Sequence, residues 1–200
     1  MALSKDDCLF FYSRAKGSRK QLSNFWGCDI SVVWDSGLLK GLTRTYPSAE
    51  HAYQANKALT IESADMFCVG CIFGSFEVFK RWPSKAGTKT TDMFESKLRT
   101  WRECPGIIAK MVSKVKPAVM LKMWGLQFSN EPVDTSIWTP IFNAKYPNGL
   151  PSALHLVEFD GKGTSKWGAK WVSGPRGGSL VGQNMMGELL MKHRLNLSKK

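Results

Sequence analysis

Acidic residues are scarce in this chain: sixteen Asp and Glu stand against twenty-eight Lys and Arg, a formal net charge of +12. Histidine is scarcer still, and none of the three (His51, His155, His193) lies within metal-binding spacing of another. Five cysteines, at 8, 28, 68, 71 and 104, are an odd count that argues against a disulfide framework and for a reducing compartment. Cys68-Val-Gly-Cys71 has zinc or redox spacing but no second pair to complete four ligands, so no metal is expected. The longest uncharged apolar run, Met66 to Phe76, is too short to span a bilayer, and the first residues lack the apolar stretch of a signal peptide. A soluble protein, cytoplasmic or nuclear and not secreted, is the expectation. There is no Gly-Lys-Ser/Thr of a P-loop, no dinucleotide-fold glycine fingerprint and no Gly-x-Ser-x-Gly. Nucleophilic acyl chemistry is thereby disfavoured, and nothing calls for a cofactor.

What is present is enough for one domain. Two hundred residues, 43% of them apolar, can bury a core of ordinary size. The positive excess is uneven. Residues 161–200 carry eight Lys or Arg against Glu188 alone, a local net of +7. A basic chain with pI near 9.6 suits phosphate-bearing partners, nucleic acid among them. A solvated basic face with a disordered Lys-Lys tail accounts for the same numbers.

Cys8–Tyr12, Asp29–Trp34 and Ala153–Phe159 are rich in aromatic and β-branched residues and predict strands. Gly37–Gly41 and Asp160–Gly163 predict turns. Ser48 is placed to cap a helix over Ser48–Leu59, and a second helix is expected over Ile61–Cys71. Lys80–Thr91 is expected to be an exposed loop, followed by helices at Asp92–Arg102 and Gly106–Trp124. The four prolines of Asn130–Pro151 predict irregular chain. Trp167–Gly182, with five glycines, leads into a helix over about 183–195. With no repeat and no linker, the expected fold is α+β, predominantly helical, a single domain over 1–200 with its core at about 8–196 and a basic disordered tail at 197–200.

Three places could carry chemistry. On the helix after Tyr46-Pro47, Glu50, Gln54 and Lys57 fall at i, i+4 and i+7, one polar face. A carboxylate in a first helical turn is also favoured by the macrodipole alone. Gly174 to Asn184 could cradle a phosphate, with Arg176 supplying charge and a helix N-terminus following; a flexible surface loop fits equally. In the last helix Asn184, Gly187, Met191 and Arg194 share one side, and a mid-helix glycine, costing about 1 kcal/mol against Ala, suggests close helix packing or a ligand ring.

Together these segments resemble one family. Leu22-Ser23-Asn24-Phe25 after Phe11-Tyr12-Ser13, then Tyr46-Pro-Ser-Ala-Glu50-His-Ala-Tyr-Gln54-Ala-Asn-Lys57, then Trp167-Gly168, then Gly182-Gln-Asn184-Met-Met-Gly187-Glu-Leu-Leu-Met191-Lys-His-Arg194 are similar in order and wording to the NADAR, or YbiA-like, superfamily. The resemblance spans about residues 10–195, with 72–150 matching loosely.

It implies a mostly helical domain that hydrolyses N-glycosidic bonds to a phosphorylated ribose. Some members act on ribosylamino-pyrimidine intermediates of riboflavin synthesis; others remove ADP-ribose from modified guanine in nucleic acid. By the same resemblance Glu50 is the general acid/base, and Ser23, Asn24, Phe25 and Asn184 surround ribose or base. Lys57 is the basic helix position, and Trp101, Trp167, Gly168 and Gly187 line the ligand. Arg176 is expected at phosphate from this sequence more than from the family. Many members carry Asp three residues before Trp-Gly; here that residue is Thr164, Asp160 and Glu158 are the nearest carboxylates upstream, and a shifted loop would bring Asp160 into its place as a catalytic carboxylate. The expected partners are an ADP-ribose-type ligand and, given the charge, a nucleic-acid substrate. The alternatives are the riboflavin-type substrate, a non-catalytic ADP-ribose binder, or a nucleic-acid-binding protein with a vestigial pocket.

Overall fold

A computed structural model of the protein describes residues 3–12, 15–56, 61–76, 135–150, 154–163, 166–174 and 177–198. The contacts divide the chain into two compact units, one formed by 1–27 with 142–200 and the other by 28–141.

The first unit is built on a parallel pair, β1 (Cys8–Phe11) and β4 (His155–Glu158), with Phe10 opposite Val157 and Phe11 opposite Glu158. The chain then turns through Asp160–Gly163 as expected, and Phe159 bridges to Ala169. Alternation puts Cys8, Val157 and Ala169 on one face, with Phe10, Trp171 and Leu180 packed against them. A helix, α4 (Met185–Leu197), packs on β4. It starts two residues later than the glycine pattern suggests and runs to Leu197, with Ser198 closing its end, so 197 and 198 belong to the helix and its cap.

The second unit holds an antiparallel pair, β2 (Ile30–Val33) and β3 (Thr43–Tyr46), joined through the turn at Gly37 and Gly41, both with positive φ. β3 reads Thr-Arg-Thr-Tyr and was not expected, because a polar alternation gives a weak strand signal. Ser48 precedes α1 (Ala49–Asn56) and its carbonyl accepts the Ala52 N–H at 3.2 Å. Every residue from Ala49 to Ala55 is buried, so α1 is enclosed on all sides. The expected helix at 61–71 is cut to α2 (Ile61–Asp65), because the chain tightens into i→i+3 turns at Cys68 and Cys71 and passes Gly70 at φ +79°.

Two segments read as loops are ordered. Within 130–151 lies α3 (Trp138–Lys145), where Pro140 falls in the first turn and its missing N–H costs no helical bond. The glycine-rich stretch is a hairpin, β5 (Ala169–Gly174) with β6 (Gly177–Gly182). Gly178 lies under Trp171: a Cβ there would come within 2.2 Å of its indole nitrogen. Gly178 makes room for the ring, and 169–174 and 177–182 form a ladder of paired strands. The fold is α+β, but helix does not predominate among the described residues, which hold six strands and four α-helices. The expected loop at 80–91 and helices at 92–102 and 106–124 lie outside them. Among the described residues no helix is long and apolar enough to cross a membrane.

Candidate functional site

In the second unit, Glu50 is buried to 9% exposure on the first turn of α1, and Gln54 one turn on donates to its Oε1 at 2.7 Å. The i, i+4 spacing thus becomes a fixed carboxylate–amide pair. Its neighbours are equally constrained. Ser48 Oγ and His51 Nδ1 stand 2.7 Å apart, and burial pulls the His51 imidazole down to about 4, so it is neutral at physiological pH. Tyr53 stacks on Trp138 with ring centroids 4.7 Å apart, and burial, with a smaller contribution from Glu50, raises its phenol well above the ordinary range. Lys57 lies outside the described residues, as do Trp101, Thr164 and Arg176.

In the first unit, the segment carrying Ser23, Asn24 and Phe25 is held by the end of α3. Lys145 Nζ donates to the Ser23 carbonyl at 2.6 Å, and the Tyr146 hydroxyl lies 3.2 and 3.3 Å from the carbonyls of Gln21 and Leu22. Ser23 Oγ accepts the Phe25 N–H, and the Phe25 ring is exposed. Asn24 is 5% exposed; its amide nitrogen reaches Met186 Sδ at 3.5 Å, while its oxygen has no hydrogen-bond partner. A buried amide oxygen left in this state costs roughly 1–3 kcal/mol.

The Asn184 motif has a different employment. Alternate backbone groups of β4 bond to β1, which leaves those of Leu154, Leu156 and Glu158 on its open edge. Asn184 Nδ2 donates to the Leu156 carbonyl at 2.9 Å, and its Oδ1 accepts the Glu158 N–H at 3.1 Å. Met191 Sδ accepts the Leu156 N–H at 3.4 Å, and Arg194 Nη1 donates to the Leu154 carbonyl at 2.9 Å. One side of the helix end therefore closes a strand edge. Gly187 permits it, since a Cβ there would lie 2.1 Å from the Leu156 carbonyl oxygen. Asn184 itself sits at φ 47°, a left-handed conformation that asparagine tolerates.

Gly168 serves the same junction: its Cβ would meet the Glu158 carbonyl at 2.7 Å, and its own carbonyl accepts the Asn184 N–H. Trp167 beside it is half-buried. Asp160 Oδ1 accepts the Lys162 N–H at 3.0 Å, engaging that oxygen in the turn. Thus Asn24, Trp167, Gly168, Asp160, Asn184 and Gly187 belong to the first unit and Glu50 to the second. No group of three or more His, Cys, Asp or Glu able to hold a metal stands among the described residues. Burial pushes the Cys68 thiol up to about 11, so it is not a thiolate at neutral pH.

Neither a family model nor a curated protein matches this sequence. Among solved structures a match exists. The chain is similar to the E. coli protein YbiA. That NMR structure shares 21% identity over 98% of this chain and 88% of its own, with a TM-score of 0.38. YbiA bears the name of the family that the motifs resemble, but a TM-score this low carries neither fold nor chemistry, which rest on the residues above. Sequence reasoning missed Lys145 and Tyr146 as supports of the Asn24 segment, since they lie in a stretch read as irregular.

Proposed function

We propose that this protein hydrolyses an N-glycosidic bond to a phosphorylated ribose, with Glu50 as its general acid/base. The observation that carries the reading is the buried Glu50–Gln54 pair on an enclosed helix. Burying a carboxylate is costly and seldom stabilises a fold, whereas a carboxylate held in one orientation can move a proton to or from a fixed point. The bond from ribose C1 to nitrogen breaks with its electron pair leaving on nitrogen. Water adds to the oxocarbenium-like C1 and gives its proton to Glu50, which returns a proton to the departing base. His51 and Tyr53 on the same helix are both neutral at physiological pH. By the resemblance alone, Lys57, next along the chain from this helix, takes a phosphate.

The net charge of +12 favours ADP-ribosylated guanine in nucleic acid over a small metabolite, because a polynucleotide gains from counterion release. A second reading, a non-catalytic ADP-ribose binder, is favoured by Thr164 where many family members carry Asp. The test is a mass-spectrometric release assay offering guanine-ADP-ribosylated DNA, free NAD and a ribosylamino-pyrimidine phosphate. Release from DNA by wild type is the expected result. Cleavage of the pyrimidine alone reassigns the substrate, and ADP-ribose binding without cleavage of any of the three overturns the catalytic reading.

A further inference from the structure

The first unit carries a second feature that the glycosidase reading does not use. β1 and β4 run side by side, so Tyr12, just past the end of β1, and Phe159, just past the end of β4, emerge together; their rings lie 5.6 Å apart at 51°. Phe10 and Trp171 continue the same face, and these four rings line a cleft of about 590 Å³. Tyr12 and Phe159 are 39% and 45% exposed, an unusual placement for two large rings in contact. Around them stand Lys5, Lys16 and Arg19, all exposed. None of the three forms an ion pair with an acid among the described residues, and Asp7 accepts the N–H and hydroxyl of Ser4. The covering helix α4 bonds to the open edge of β4 and lends the cleft no lining residue.

A sheet face with clustered aromatic rings and a cationic rim matches the two needs of an unpaired nucleic-acid strand. Bases stack on rings regardless of sequence, and phosphates settle on lysine and arginine. An acidic peptide would use the cations and leave the rings idle. A membrane surface would find the rings recessed in a cleft. We propose that this cleft docks a single-stranded segment of nucleic acid, one base on the Tyr12–Phe159 pair and its flanking phosphates on Lys5, Lys16 and Arg19. The inference extends the nucleic-acid reading above to a place on the surface. It needs no hydrolysis, so the two fail separately.

The test is fluorescence anisotropy with an unmodified, labelled twelve-nucleotide DNA strand, its duplex and a mononucleotide, on the full chain. Wild type should bind the strand more tightly than the duplex or the mononucleotide. The variant Y12A/F159A, altered at exposed rings, should lose about tenfold or more, as removal of a stacking platform does. The variant K16E/R19E should lower the slope of log affinity against log salt by about 1.4, two phosphate contacts on a single strand. V33S, altered at an exposed residue of β2 outside the cleft, should bind the strand as wild type does. Strand affinity unchanged in both double variants overturns the proposal. So does equal binding of duplex or mononucleotide, or tighter binding to phosphatidylserine vesicles than to the strand. Docking intact in a protein that hydrolyses nothing would sink the glycosidase and leave this inference standing.

Discussion

The two helices that carry the polar motifs, α1 and α4, use similar residues for opposite ends. On α1 the polar groups face one another: Glu50 takes a hydrogen bond from Gln54, and Ser48 pairs with His51 inside an enclosed helix. On α4 they are committed to backbone, with Asn184, Met191 and Arg194 closing the edge of β4 at Leu154, Leu156 and Glu158. A polar side chain that satisfies a strand edge has an architectural reason to be there. A buried carboxylate is costly to a fold, and the proposed chemistry is our account of it. On the proposed function, residues forming one sequence pattern divide between holding a fold and doing work.

Substitutions on each helix sharpen that contrast. Gly187→Ala drives a methyl group into the Leu156 carbonyl and should destabilise the first unit by about 3 kcal/mol or more, read by urea unfolding. Acid probes α1. His51 titrates at about 4 when folded against an ordinary 6.5, so the unfolded chain binds the extra proton between those values. Stability should therefore be complete above about pH 6.5 and fall by up to roughly 3 kcal/mol as pH drops to 4. Replacing His51 with Gln should flatten that slope. Asn184→Ala strands the Leu156 carbonyl and the Glu158 N–H and should cost about 2 kcal/mol, with the melting temperature falling accordingly. The smallest effect belongs to the Arg44–Asp65 bridge, 2.6 Å long but partly solvated, where Arg44→Ala should cost less than about 1 kcal/mol.

Much of this was legible from residue order. β1, β2 and β4 followed from aromatic and β-branched runs, and α1 from Ser48 and the polar spacing behind it. The mid-helix position of Gly187 announced a close approach, but by a helix or a ligand ring; the backbone of strand β4 is what approaches. The hairpin β5–β6 was not legible, because its glycines answer to the indole of Trp171 and to neighbouring backbone, contacts that exist only after folding. α3 hid behind Pro140, harmless in a first turn. The aromatic cleft was hidden for a related reason: Tyr12 and Phe159 are far apart in sequence, and only the parallel register of β1 and β4 brings their rings together.

The central claim is that Glu50 carries chemistry while the α4 motif carries structure. Its most direct test is the release of ADP-ribose from guanine-modified DNA by wild type, Glu50→Gln and Asn184→Ala, each paired with a thermal melt. The account predicts that Glu50→Gln loses about a hundredfold or more in rate with its melting temperature held, as removal of a general acid/base does. Asn184→Ala should instead lose stability first, with activity retained at temperatures where it stays folded. Undiminished release by Glu50→Gln would contradict the account.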